Sequence, residues 1–346
     1  MPFPKTYVDT LLVNWGDRLF HSALRHPRTP HLSHGSLHQD ALHLRETIAR
    51  TLRGAPEVIV KISNRASGTQ GMGAVRRHLR YISRNGSVEL EDQDGSTVAG
   101  ELALQDLFEQ WHLGSWGIPT YSKRRETLNV VLSMPPGTDR EAVRDAAKIF
   151  AQQTFGDGRP YVFALHDDQA HPHVHLCVHA RGPDGRRLNP RKRDLHRWRE
   201  AFAQQLQERG VDANATPRAV RGQMQCFPKQ ARPWMALRGN PPLFCSRVID
   251  SETRRALWGA HIKTLSNWHK IAHTLAYSSS PEDRAMAMNI VDFARRMPIR
   301  TVNPEAEQSP RPGVPRVSGS YYMQRMPCAE ELQPEKSRKR SMEIDR

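Results

Sequence analysis

The sequence predicts an α+β fold, with a mainly antiparallel central sheet and helices packed on it. Between about residues 56 and 222, strand-like runs alternate with stretches of helical periodicity. Two of those runs, YVFALH (161–166) and HVHLCVHA (173–180), are joined by a connection short enough to suggest a hairpin. Strands paired through hairpins, with helices gathered between them, favour antiparallel order.

Each element has its own signal. VIVKIS (58–63) reads as a strand, and GMGAVRRHLRYIS as a helix with Val75, Leu79 and Ile82 on one apolar stripe. SVELEDQDGS is a short strand running into a turn, and TLNVVLSM (127–134) is a further strand. PPGTD is a turn signal leading into the helix REAVRDAAKIFAQQTF. The basic helix RDLHRWREAFAQQLQERG closes this domain. Its Trp198, Phe202 and Leu206 share a face at i, i+4 spacing, and Gly210 is placed to end it.

Residues 1–55 form an N-terminal extension to which the sequence assigns no role. One helix is predicted around DALHLRETIARTL, with Leu42, Leu44, Ile48 and Leu52 as its apolar positions. Residues 223–300 read as a helical region with Trp258, Ile262, Leu265 and Trp268 near one face. Residues 301–346 are dominated by Pro, Ser and charge (NPEAEQSPRPGVPRVSG) and end KSRKRSMEIDR, which predicts a disordered basic tail.

Composition narrows the function. The 346 residues carry 51 Lys and Arg against 36 Asp and Glu, a formal charge of +15, and the pI is near 10.1. That balance points to a polyanion, with nucleic acid ahead of an acidic membrane surface. The longest apolar stretches are single strands, far short of the ~20 residues needed to cross a bilayer, so no stable membrane insertion is expected. MPFPKTYVDTLLVNW lacks the apolar core and cleavage site of a signal peptide. Cys177, Cys226, Cys245 and Cys328 are scattered and form no CxxC pair, which fits a reduced cytoplasm.

The segment HDDQAHPHVH (166–175) packs four histidines and two aspartates into ten positions. On a strand, His173, His175, Cys177 and His179 point one way and Val174, Leu176 and Val178 the other. The apolar set can cover a helix layer, leaving the histidines on the open face. A hairpin brings His166 beside His173 and His175, so three imidazoles converge as a candidate metal site for Zn, Mn, Fe or Ni. His171, in the turn, has a weaker claim, and His179 at the far end is assigned no role.

HDDQAHPHVH, with His166, Asp168, His173 and His175, resembles the third motif of conjugative relaxases. These are HUH-class DNA nickases, in the branch containing plasmid mobilisation proteins and the T-DNA border endonuclease. LRYISRNGSVELED, around Tyr81, resembles the first motif of that branch, and LNVVLSMPPGTD, with Ser133, the second. The three stand in the order the branch expects, and the resemblance covers about residues 56–222.

The resemblance implies that Tyr81 attacks a scissile phosphate and leaves a 5′-phosphotyrosine and a free 3′-hydroxyl. It implies that Ser133 helps to hold DNA, and that a divalent ion on His166, His173 and His175 assists. Mg or Mn is the first expectation, with Zn or Ni as alternatives. Asp168 is a candidate either to orient a metal-bound histidine or to accept the tyrosine proton. Helical geometry sets Tyr81 about 160° from Leu79, off the apolar stripe. Arg181, Arg186, Arg187, Arg191, Lys192, Arg193, Arg197 and Arg199 are expected to contact DNA phosphates.

Expected partners are single-stranded DNA at a transfer origin, accessory relaxosome proteins and a type IV coupling protein. The protein is expected in the cytoplasm and to leave with the transferred strand, KSRKR being a candidate secretion signal. A rolling-circle replication initiator uses the same chemistry, but places its histidine motif before its tyrosine. A three-histidine small-molecule hydrolase or oxygenase has no need of the arginine run. A non-catalytic DNA-binding accessory protein would never become covalently attached to DNA.

Overall fold

In the computed structural model, residues 2–21, 34–63, 71–114, 117–222 and 251–297 are described. In chain order the elements are α1 (Lys5–Phe20), α2 (His34–Arg53), β1 (Ile59–Ile62), α3 (Met72–Ile82), β2 (Leu90–Asp92), β3 (Thr97–Val98) and α4 (Gly100–Leu113). There follow β4 (Thr127–Ser133), α5 (Arg140–Phe155), β5 (Tyr161–His166), β6 (His173–His179), α6 (Lys192–Gln207), α7 (Ser251–Ala276) and α8 (Pro281–Arg296). The strands form one six-stranded sheet of order β1-β4-β6-β5-β2-β3, antiparallel at every pairing. The α+β fold class and the β5–β6 hairpin are as the sequence predicts.

Strand alternation sorts the two faces. Leu128, Val130, Leu132, Phe163, Val174, Leu176 and Val178 pack with Val143 and Phe150 of α5 and Trp198 and Phe202 of α6. Asp139 starts α5 as its N-cap, its carboxylate accepting from the Glu141 N–H. Trp198 meets Phe155 edge to face at 5.2 Å, so it serves packing.

The opposite face departs from expectation. Instead of standing open, it is covered by α3 and α4, whose Val75, Leu79, Phe108 and Trp111 pack on Val162, Ala164 and Cys177. The helix α4 has no counterpart in the elements read from sequence. The histidines of β6 are therefore buried, His173, His175 and His179 included.

A second core lies outside the sheet. Helices α1 and α2 pack with α7 and α8 around Leu12, Ile48, Trp268 and Ile290. Here the helix α1 is also new, and two positions differ from the periodicity. Leu42 is 45% exposed while Ala41 is fully buried, and Ile262 is 47% exposed while His261 and Trp268 are buried. Of the stripe read through 258, 262, 265 and 268, Leu265 and Trp268 pack in this core, and Ile262 turns away from it. Charge crosses this core too: Arg45 donates from Nη1 to Asp9 at 2.8 Å and from Nε to Asp283 at 2.7 Å. The segment after α6 joins the two cores, through Trp268 donating to the Val220 carbonyl at 2.9 Å and Asn214 donating to Thr51 at 3.0 Å.

The remaining expectations for residues 223–250 and 298–346, including the tail and KSRKR, lie outside the described residues. Among the described residues no helix is long and apolar enough to cross a membrane.

The exposure difference along α2 is testable by equilibrium urea unfolding. Ile48→Ala should cost about 2 to 5 kcal/mol by opening a cavity in the outer core. Leu42→Ala should stay within about 0.5 kcal/mol of the parent protein.

Candidate active site

Cross-strand register assembles the site. His166 and His173 are Cα partners on β5 and β6, and His173 is in turn the partner of Ser133 on β4. The turn between the histidine strands is pinned to the start of α5 by Arg140, which donates to Asp167 at 3.0 Å and to the Gln169 carbonyl at 2.8 Å. Ring centroids of His166 and His175 lie 4.4 Å apart, and those of His173 and His175 5.2 Å. One ligand atom from each of the three histidines lies within 4.8 Å of the others.

The ring nitrogens are arranged as metal ligation requires. His166 Nε2 donates to the carbonyl of Ile82, the last residue of α3, at 2.7 Å. That satisfies an orphan helix-end carbonyl and makes Nδ1 the ring's lone-pair atom, the one a metal would take. His173 Nδ1 donates to the His171 carbonyl at 3.2 Å, leaving its Nε2 lone pair. His175 Nδ1 is buried without a hydrogen-bond partner. Burial, reinforced by the neighbouring His166 and His173, pushes the His175 pKa down to about 3, so the ring is a neutral ligand at any ordinary pH. These residues fit a divalent ion: an orphaned buried nitrogen and two oriented lone pairs converge on one point.

Tyr81 stands beside this cluster. It occupies the polar side of α3, is 52% exposed, and its ring lies 5.6 Å from His175 and 6.1 Å from His166. Arg84 approaches the tyrosine ring to 5.1 Å, ion-pairs with Asp168 and donates to His166 Nδ1 at a long 3.4 Å. An ion bound through that lone pair exchanges only the long contact, and Arg84 keeps Asp168. Asp168 is 3.9 Å from His173 Nε2, beyond hydrogen-bond range, so its direct partner is Arg84.

Local backbone explains how Arg84 gets there. Arg84, Asn85 and Gly86 have φ of 49°, 58° and 91°, a left-handed turn directly after α3. Asn and Gly tolerate this conformation, whereas for Arg it is strained, a cost of about 1 to 3 kcal/mol of the kind that clusters at functional sites. The turn folds the guanidinium back over Tyr81.

Two residues of this cluster were not singled out from the sequence. Arg84 could have been found through the NG turn dipeptide that follows it. His78 lies one helical turn before Tyr81, its ring centroid 6.3 Å from the tyrosine and 6.5 Å from His175. Its Nε2 is buried without a hydrogen-bond partner, and burial lowers its pKa to about 4. The HxxY spacing on a helix was its signal. His171 sits at the margin, its pKa lowered by burial and by His173, Lys61 and Arg140. His179 donates to the Arg181 carbonyl at 2.9 Å and packs on Trp111, away from the cluster.

The arginine run is not brought to the histidines. Arg187 donates to the Arg125 carbonyl at 2.6 Å and to Glu126 at 2.9 Å, at the start of β4, whereas the triad is level with its end. Seven-residue strands separate the two places by roughly 20 Å. Arg181 pairs with Arg187 as an isolated bridge at the same end, and Arg191 and Lys192 open α6 there. Arg186 is near Asp184 and Arg193 near Asp194; Arg197 is exposed and Arg199 partly withdrawn from solvent. Among the described residues, Arg84 acts on His175, and Lys61 and Arg140 act on His171 at the margin of the triad.

The sequence is similar to known proteins over part of its length. The family described as relaxase, MobA/VirD2-like nuclease domain, matches residues 83–211. The matched residues contain Ser133, Asp168 and the three histidines, and begin two residues after Tyr81. T-DNA border endonuclease VirD2 of Rhizobium radiobacter is 28% identical over 184 residues, covering 48% of this chain and 43% of that protein. The VirD2 of Agrobacterium fabrum is 27% identical over 184 residues, covering 48% and 41%. The chain thus spans less than half the length of these curated relatives. A solved chain titled "Molecular Basis of Vancomycin Resistance Transfer in Staphylococcus aureus" aligns with a TM-score of 0.31 at 13% identity, over 47% of this chain and 99% of that one.

The histidine cluster is testable in two ways. In titrations of chelator-stripped protein with Mn, His173→Ala and His175→Ala should each weaken binding by about a hundredfold or more, and His179→Ala should leave it nearly unchanged. In the metal-free protein, His78 and His175 stay neutral down to about pH 4 and 3, while in the unfolded chain they protonate near pH 6.5. The unfolded state binds more protons in that window. Stability should therefore decline as pH falls below about 6.5, and urea unfolding between pH 8 and 4.5 should show a shallower decline for His78→Gln.

Proposed function

We propose that this chain is a DNA relaxase that nicks one strand at a transfer origin through Tyr81, holds the 5′ end as a phosphotyrosine, and rejoins the strand after conjugative transfer. The observation that carries the reading is the half-exposed Tyr81 ring standing 5.6 and 6.1 Å from two of three converging buried histidines.

The Tyr81 oxygen forms a bond to the scissile phosphorus as the bond from phosphorus to the 3′-oxygen breaks, and the leaving oxygen takes up a proton. The phosphodiester energy is kept in the tyrosine ester, ready for rejoining. Asp168, held beside the ring by Arg84, is the carboxylate we assign to receive the phenol proton. Arg84 also presents positive charge where the phosphate oxygens would lie. Ser133, buried next to His173 in the register, would position DNA from the β4 side. His166, His173 and His175 would hold a divalent ion, Mg or Mn in use, which when bound polarises the phosphate as a Lewis acid.

Lys61 and Arg140 would draw the backbone to the cleft, and the arginine run would contact DNA about a strand length from the nick. Accessory origin-melting proteins and a type IV coupling protein complete the proposed setting, with action in the cytoplasm and export on the transferred strand.

The test is incubation with labelled single-stranded oligonucleotides tiling the element's transfer origin, with Mn, Mg or chelator, resolved on a denaturing gel. A metal-dependent covalent protein–DNA band should appear and fall about a thousandfold or more in Tyr81→Phe. Cleavage surviving that substitution would move the nucleophile to another residue. Salt-sensitive binding without cleavage, at confirmed metal occupancy, would make the chain an accessory protein.

A further inference from the structure

We infer that His21, His196 and Glu200 form a second metal site, separate from the nuclease triad, that clamps the N-terminal helices to the nuclease domain. His21 directly follows α1, and His196 and Glu200 lie one turn apart on one face of α6. His21 Nε2 is 2.9 Å and His196 Nε2 3.4 Å from the same atom, Glu200 Oε1, and the two rings are 5.3 Å apart. One ligand atom from each residue falls within 4.8 Å of the others, the same convergence the nuclease triad shows.

The chemistry favours a cation over a simple ion pair. Two imidazoles turn their Nε2 atoms toward one carboxylate oxygen, the donor set that a divalent ion takes when both rings are neutral. A divalent ion replaces the two ring protons and takes the lone pairs of both imidazoles together with the carboxylate. Asp17 completes the pattern: its Oδ1 is 3.6 Å from the other nitrogen of His21, Nδ1, the position from which a carboxylate orients a ligating imidazole. Two imidazoles and one carboxylate are a zinc-type set with a fourth position left for water. The histidine side chains are 14% and 12% exposed, and the group lines a cavity of about 110 Å³ between α1, α2 and α6. Helix α6 lies on the sheet face opposite the triad histidines, so the two sites are independent.

Zinc stoichiometry by dialysis and elemental analysis of the full chain tests this. The parent should hold two equivalents, His173→Ala/His175→Ala one, Glu200→Gln one, and the combined variant none. Zinc at a hundredfold excess over its dissociation constant should raise the melting temperature of His173→Ala/His175→Ala by about 5 °C, and leave the combined variant unmoved. His21→Gln, from the other helix, should reproduce the loss, which covers the case of Glu200→Gln failing to fold. One equivalent in the parent that vanishes with His173→Ala/His175→Ala would overturn the second site, as would a second equivalent that survives Glu200→Gln and His21→Gln. Tyr81-dependent cleavage in the same preparations reports on the nuclease reading alone.

Discussion

The pairing of β5 with β6 sets the place of the three histidines of the candidate site. Side chains alternate along a strand, so a slip of one residue would send His173 and His175 into the layer beneath the sheet and bring Val174, Leu176 and Val178 up in their place. What forbids the slip is the packing of those three apolar residues against α5 and α6. The site is thus fixed from behind. Val143, Phe150 and Phe202 touch none of the chemistry, yet they hold the register that makes the imidazoles converge.

Above the sheet, α3 does two jobs with its two sides. Val75, Leu79 and Ile82 anchor it in the core with α4, which leaves Tyr81 and His78 on the flank that meets the histidines. Its last carbonyl fixes the tautomer of His166. The strained turn that follows returns Arg84 over the tyrosine ring and onto Asp168. Helix end, tautomer and cation therefore come from consecutive residues, 82 to 84.

Much of this was legible in the sequence because it rests on period. Alternation exposed both the strand faces and the histidine cluster, and the position of Tyr81 off the apolar stripe of its helix predicted its exposure. What periodicity cannot register is which second layer arrives. Helix α4 carries a mixed stretch, GELALQDLFEQWHL, whose cover over the histidine face is a tertiary fact. Leu42 and Ile262 match the helical spacing of stripes whose other members, Leu44, Ile48, Leu265 and Trp268, reach the core, yet these two point outward. The arginine run follows HVHLCVHA directly in sequence, and a strand carries it away from the triad by its own length. Proximity along the chain is not proximity in space.

The outer core draws two of its helices from before the nuclease domain and two from after it. A chain emerging from the ribosome therefore makes α1 and α2 long before α7 and α8 exist to cover them. During that interval the apolar faces around Leu12 and Ile48 have no permanent partner, while the sheet and its helices, all encoded by residue 222, can already close around their own core. The order of synthesis thus builds the sheet core first and wraps it last. Because contacts such as Arg45 with Asp283 span most of the chain, the wrapping is the step with the larger loop-closure cost.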